Sequence, residues 1–170
     1  MRAMADELSG TIGFVLSGAI GTRSPFNLLP RELLELRHVA VSGDGEPTLG
    51  PQFAEAIESV VHVRTKIAGG FFKIVVISNG TGFGQPSVQK GIALLTNHDE
   101  VWAKLEAGTQ PYMDNINRSQ IPLEKVVENI GLMARLRPVM NPACGHLPLQ
   151  ALSAIARTVR RVSGLRAEIF

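Results

Sequence analysis

Three short stretches hold the residues that could do chemistry, and each follows directly on an apolar run. Val39-Ala40-Val41 stops at Ser42-Gly43-Asp44-Gly45-Glu46-Pro47-Thr48, and Lys73-Ile74-Val75-Val76-Ile77 stops at Ser78-Asn79-Gly80-Thr81. Val101-Trp102-Ala103 runs into Lys104-Leu105-Glu106-Ala107-Gly108-Thr109, with Asn117-Arg118 close behind. The first stretch sets the carboxylates of Asp44 and Glu46 among glycines. Glycine can take positive φ, and without a Cβ it lets a ligand reach the main-chain amides. A carboxylate beside exposed amides suits an ammonium-bearing ligand better than a pyrophosphate. A phosphate-cradling P-loop would end in Gly-Lys-Ser/Thr, where this chain has Glu46-Pro47-Thr48. A dinucleotide turn would need its third glycine in step and an acid at the tip of the second strand. Here the third glycine falls at Gly50 and the second strand ends in Ser78-Asn79. The plainer reading of such a turn is a structural strand-to-helix connection with a surface glutamate.

The elements that must position these residues follow from the apolar pattern. Strands are expected at 38–42, 73–78 and 100–105, and the near-continuous apolar run of the second is typical of a strand buried on both faces. Lys104 and Glu106 fall on one face of the third strand and Leu105 on the other, by alternation. Helices are expected from about 51 to Gly69-Gly70, at 86–95 and at 122–136, with a glycine-weakened helix at 5–20 and a short one from Pro30 to about Leu36. Residues 21–30 read as a loop, and Pro138 and Pro142 break the chain. A last helix at 148–162, with Gly164 as its C-cap, and a terminal strand at 166–170 complete the expectation. Repeated strand–helix units of about 30 residues imply a parallel sheet. All three polar strand ends then share one rim, the place where α/β folds bind ligands.

The chain of 170 residues is long enough for one domain with a real core. It is 45% hydrophobic but only 5% aromatic, as a Val, Ile, Leu and Ala core would be. A formal charge of +2 is too small to argue for nucleic acid, despite a pI of about 9.0. No apolar run approaches a membrane span, and Asp6 and Glu7 ahead of a glycine-broken run make a poor secretory signal. The single cysteine, Cys144, excludes an intrachain disulfide, and the expected location is cytoplasmic. Cys144-Gly145-His146 has no second pair to complete a metal site. His38, His62 and His98 read as structural or solvent-facing. Trp102 reads as core, and Arg157, Arg160 and Arg161 as a solvated helix face.

The three stretches together, in this order and spacing, resemble the successive motifs of radical S-adenosylmethionine (SAM) proteins. The resemblance covers residues 36–139, and Gly145-His146-Leu147-Pro148-Leu149 through Phe170 is similar to the end of such chains. It implies an α/β fold: an incomplete radical SAM-type (β/α) barrel with a parallel sheet of about four to five strands and helices outside. Residues 1–170 would form a single partial domain, with core units at 36–140 and a closing helix and strand at 141–170. The resemblance further implies that Ser42, Gly43, Asp44, Gly45 and Glu46 hold the amino group of SAM, and that Asn79 lines the same pocket. Lys104 and Glu106 would make ribose or carboxylate contacts, beside Asn117. Arg118 would pair with the SAM carboxylate, which a planar guanidinium suits.

One departure outweighs the matches. Radical SAM enzymes ligate a [4Fe–4S] cluster through a Cys-x-x-x-Cys-x-x-Cys loop ahead of the Gly-Glu-Pro strand. Residues 1–50 contain no cysteine, and cluster ligation needs thiolates. A second gap is expected near Met140-Asn141. The expectation is therefore a radical SAM family protein (implied iron–sulfur oxidoreductase chemistry) that is catalytically incomplete by itself, a truncated frame or a degenerate copy. The alternatives are a non-catalytic SAM- or nucleotide-binding module, or a structural remnant. Self-association, or a partner chain completing the barrel, is expected for an open sheet.

Overall fold

The structure, a computed structural model, describes residues 1–67, 71–105, 107–116, 121–136 and 140–141. Four parallel strands pair in chain order: β1 (His38–Val41), β2 (Lys73–Ser78), β3 (Glu100–Ala103) and the two-residue β4 (Met140–Asn141). The registers are Val39 to Ile74, Val76 to Val101, and Val101 to Met140. The expected α/β class and parallel sheet are thus observed. β4 lies between the two prolines that the sequence suggested only as chain breakers. The expected helix at 148–162 and strand at 166–170 fall outside the described residues, as do Cys144 and the three late arginines.

Five helices accompany the sheet among the described residues: α1 (Arg2–Leu16), α2 (Phe53–Lys66), α3 (Pro86–Ile92), α4 (Gln110–Ile116) and α5 (Leu123–Leu136). In α2, Phe53, Ile57, Val60 and Val63 recur at helical spacing and are all buried. Its last turn carries Arg64 and Lys66, cations that complement the dipole. α5 buries Val126, Val127, Ile130, Met133 and Ala134 in the same way. α1 starts earlier than the apolar spacing suggested and tolerates Gly10 and Gly13 on its exposed side. The stretch 19–33 forms three 3-10 turns, so the helix expected from Pro30 to Leu36 is only Arg31–Leu33. Leu33 stays 69% exposed, which leaves a longer helix nothing to pack on.

The register sorts the strand residues into two faces. Val39, Val41, Ile74, Val76, Val101 and Ala103 point into the common core with Ile57, Phe72, Phe83, Val88 and Val126. His38, Ala40, Lys73, Val75, Ile77, Glu100 and Trp102 occupy the opposite face. Val75 is buried there, so β2 is apolar on both sides, as its sequence suggests. Trp102 is not core, contrary to expectation. It is 36% exposed, because pairing with Ile77 puts it opposite Val101 and Ala103, and its Nε1–H donates to Glu100 at 2.8 Å. The carboxylate of Glu100 also meets Lys73 Nζ at 2.8 Å.

Candidate functional site at the rim of the sheet

Because the strands are parallel, Ser42, Asn79 and Lys104 all lie just past the same ends of neighbouring strands. β3 keeps its pairing one residue past its end, where the Lys104 N–H donates to the Ser78 carbonyl at 2.7 Å. The Lys104 side chain is exposed and, by alternation from buried Ala103, projects from the face that carries Trp102. Glu106, Asn117 and Arg118 lie outside the described residues.

Ser42, Gly43, Asp44 and Gly45 are all exposed. The expectation that these glycines serve a left-handed backbone does not hold: among the described glycines only Gly18 and Gly80 have positive φ. A Cβ built on Gly43 or Gly45 would meet nothing within 4 Å. Neither turn geometry nor internal packing requires glycine there, and the main chain of the turn is open to approach from outside.

Glu46 behaves differently from its exposed neighbours. It is half-buried, and both of its carboxylate oxygens face donors of the protein. Oε1 accepts from Thr48 N–H at 3.1 Å, Thr48 Oγ1 at 2.5 Å and Ser78 Oγ at 2.6 Å. Oε2 accepts from the Asn79 N–H at 2.7 Å. The carboxylate therefore caps the 3-10 turn Pro47–Leu49 and ties the loop after β1 to the end of β2. Thr48 and Ser78 are buried, at 0% and 2% exposure.

The β2 loop is built just as closely. Asn79 Oδ1 accepts from the N–H and hydroxyl of Thr81, at 3.0 and 2.6 Å, which closes an Asx turn. Gly80 follows at φ +81°, and a Cβ there would press on Ile130 and Val126. Gly82 packs against Thr48 so closely that a Cβ would collide with its hydroxyl, its Cβ and its carbonyl. From below, buried Asn129 of α5 donates Nδ2 to the carbonyls of Gly80 and Thr81, at 3.2 and 3.1 Å. Sequence reasoning missed Thr48, Gly82 and Asn129 as site-builders. Asn129 did leave a signal, being the polar residue amid the apolar stripe Val126, Val127, Ile130 and Met133.

No group of three or more His, Cys, Asp or Glu suited to a metal ion occurs among the described residues. Among the described residues the histidines His38, His62 and His98 are exposed and scattered, and His98 packs edge-on to Phe71. A cavity of about 820 Å³ lies at the other end of β1, walled by Val15, Leu29, Arg31, Leu34 and Leu36, and holds none of the rim residues. No helix of the described residues is long and apolar enough to cross a membrane. Comparison of the chain with protein-family models, curated proteins and solved structures gives no match.

Proposed function

We propose that the rim of strand ends 42–46, 79 and 104 binds SAM, in a chain related to radical SAM barrels but unable to complete their chemistry by itself. The observation that carries this reading is the open turn at Gly43–Gly45. Its glycines answer to no internal constraint, while the carboxylate behind them holds the turn rigidly against β2. A rigid turn with exposed main chain is what an ammonium- and carboxylate-bearing ligand needs. Strand order supports the barrel: a doubly wound sheet reverses direction at a switch point, whereas β1 to β4 follow one another without reversal. Strands added in this way, with crossovers of one hand, put successive helices on one face.

The [4Fe–4S] cluster of the family does not fit this chain. Three thiolates are needed, and the sequence contains one cysteine. No radical step is assigned to its residues. The activity supported is ligand binding, with Asp44 and the main chain of residues 42–45 toward the amino-acid end of SAM and Lys104 toward its carboxylate or ribose. Asn79 lines the pocket, and Glu106, Asn117 and Arg118 belong to the proposal on the resemblance alone. Self-association, or a second chain completing the barrel, belongs to the same reading.

Isothermal calorimetry with SAM and S-adenosylhomocysteine tests it. The expected dissociation constant is about 10 µM to 1 mM, since no cluster anchors the methionine end. No heat up to millimolar ligand, or much tighter binding of NAD or ATP, would overturn the reading.

A further inference from the structure

The geometry points to Glu46 as a positioning residue, a latch between two loops, with the ligand's charged groups met by the main chain around it and not by its carboxylate. This deepens the SAM-binding reading and rests on it for the ligand, although the latch itself does not. A free carboxylate at the rim would offer lone pairs to an ammonium group. The carboxylate of Glu46 already accepts four hydrogen bonds, from the N–H and hydroxyl of Thr48, the hydroxyl of Ser78 and the N–H of Asn79. Two of these donors sit on buried side chains, at 0% and 2% exposure, so exchanging them for a ligand would strand buried hydroxyls. The bonds are also divided: three converge on Oε1, and Oε2 alone holds the Asn79 amide.

That division makes glutamine a sharp probe. Glu46→Gln keeps the shape but has one acceptor oxygen, so its NH₂ must face either the Asn79 N–H or the Thr48–Ser78 donors. Either way one of the two ties between the loops, from Ser78 or from Asn79, is weakened. Two readouts test the latch: amide hydrogen exchange by NMR, which a direct ligand contact would leave unchanged, and binding of S-adenosylhomocysteine compared with 5′-methylthioadenosine, which lacks the amino-acid end. In Glu46→Gln the Thr48 or Asn79 amide should exchange about tenfold faster or more, with Ile74 at the far end of β2 unchanged. S-adenosylhomocysteine should weaken roughly tenfold, because the turn that meets its amino-acid end has moved, and 5′-methylthioadenosine, which lacks that end, should change little. Unchanged exchange at both amides would overturn the latch. Faster exchange with unchanged affinity for S-adenosylhomocysteine would overturn the positioning role, since the loops would then part without moving the ligand's contacts. If the wild-type chain binds neither nucleoside, the SAM reading falls and the exchange result alone decides the latch. Should Glu46→Gln fail to fold, Ser78→Ala removes one donor of the other loop and should move the same readouts in the same direction.

Discussion

Arg64, near the end of α2, and Asp99, just ahead of β3, form a two-pronged ion pair, with Nη1 2.5 Å from Oδ1 and Nη2 3.0 Å from Oδ2. The Asp99 side chain is fully buried and that of Arg64 nearly so. Oδ1 also accepts from the Ile74 N–H at 2.8 Å, and Oδ2 from the N–H and hydroxyl of Thr96, at 2.7 and 2.9 Å. One carboxylate thereby joins α2, β2 and the approach to β3 at the end of the sheet away from the rim. Arg64 is completed by Phe71, whose ring centroid lies 5.4 Å below the guanidinium.

The pair should make stability depend on pH in a defined window. Burial alone would raise the pKa of Asp99, but Arg64, the Ile74 amide and the two groups of Thr96 outweigh it and hold the value at about 2, below the ordinary 3.8. A depressed folded-state value contributes stability above the unfolded pKa, and that stability is lost as pH falls from about 4 through about 2. Its size is roughly 2 kcal/mol. Urea melts should show Asp99→Asn less stable than wild type by about that much at pH 7, with the gap closing toward pH 2. A gap independent of pH would count against the assignment. Arg64→Ala, which leaves the buried carboxylate unpaired, should cost about 3 kcal/mol at pH 7.

A second prediction separates glycines that build the rim from glycines that leave it open. Gly82→Ala drives a Cβ into Thr48, partly against backbone, and Gly80→Ala adds positive φ to contact with Ile130. Each should lower stability by about 2 kcal/mol or more. Gly43→Ala and Gly45→Ala meet open space at unstrained φ, so they should leave the melting temperature unchanged or slightly higher. On the proposed function these two should nonetheless weaken S-adenosylhomocysteine binding, by roughly tenfold, because the methyl group stands where the ligand approaches. Calorimetry beside thermal melts reads both effects. Unchanged binding in both variants would remove the turn from the site.

How much of this was legible in the sequence depended on the range of the forces involved. β2 was read to its observed bounds because β-branched burial on both faces is a local pattern. The shared rim was legible too, since parallel strands alternating with helices force their ends together. α4 was missed because Gly108, Thr109 and Pro111 look like loop, although proline is well tolerated in a first helical turn. The Trp102 error came from treating an aromatic in a strand as core when its neighbours' parity already placed it on the other face. The latch was invisible because the Ser78 and Asn79 partners of Glu46 are about thirty residues away along the chain. Pairing of that kind is specified by register, which a single sequence does not display.

The third prediction concerns iron. Anaerobic reconstitution with iron and sulfide should give no stable [4Fe–4S] cluster on the monomer, because one cysteine cannot supply three thiolates. Visible charge-transfer absorbance with roughly four irons per chain would overturn this. Loss of that absorbance on dilution would instead show a cluster shared between chains.

The last prediction concerns association. Phe14, Leu16, Phe26, Leu28, Leu29 and Leu33 are all exposed, Leu28 by 80%, within one stretch beside the cavity at the start of β1. β1 is also the outer strand of the described sheet, and it contains no proline to block pairing. Soluble monomers rarely leave contiguous apolar patches larger than a few hundred Å² uncovered. Light scattering over a concentration series should therefore show a mass above that of one chain. Replacing Leu28 and Leu33 together by serine should move the association midpoint to a roughly tenfold higher concentration, equal to about 1.4 kcal/mol. The rim residues are on the far ends of the strands, so on the proposed function the double variant should bind S-adenosylhomocysteine as the wild type does. A wild-type chain that stays monomeric at every concentration, with a sharp cooperative melt, would mean that it covers this surface itself.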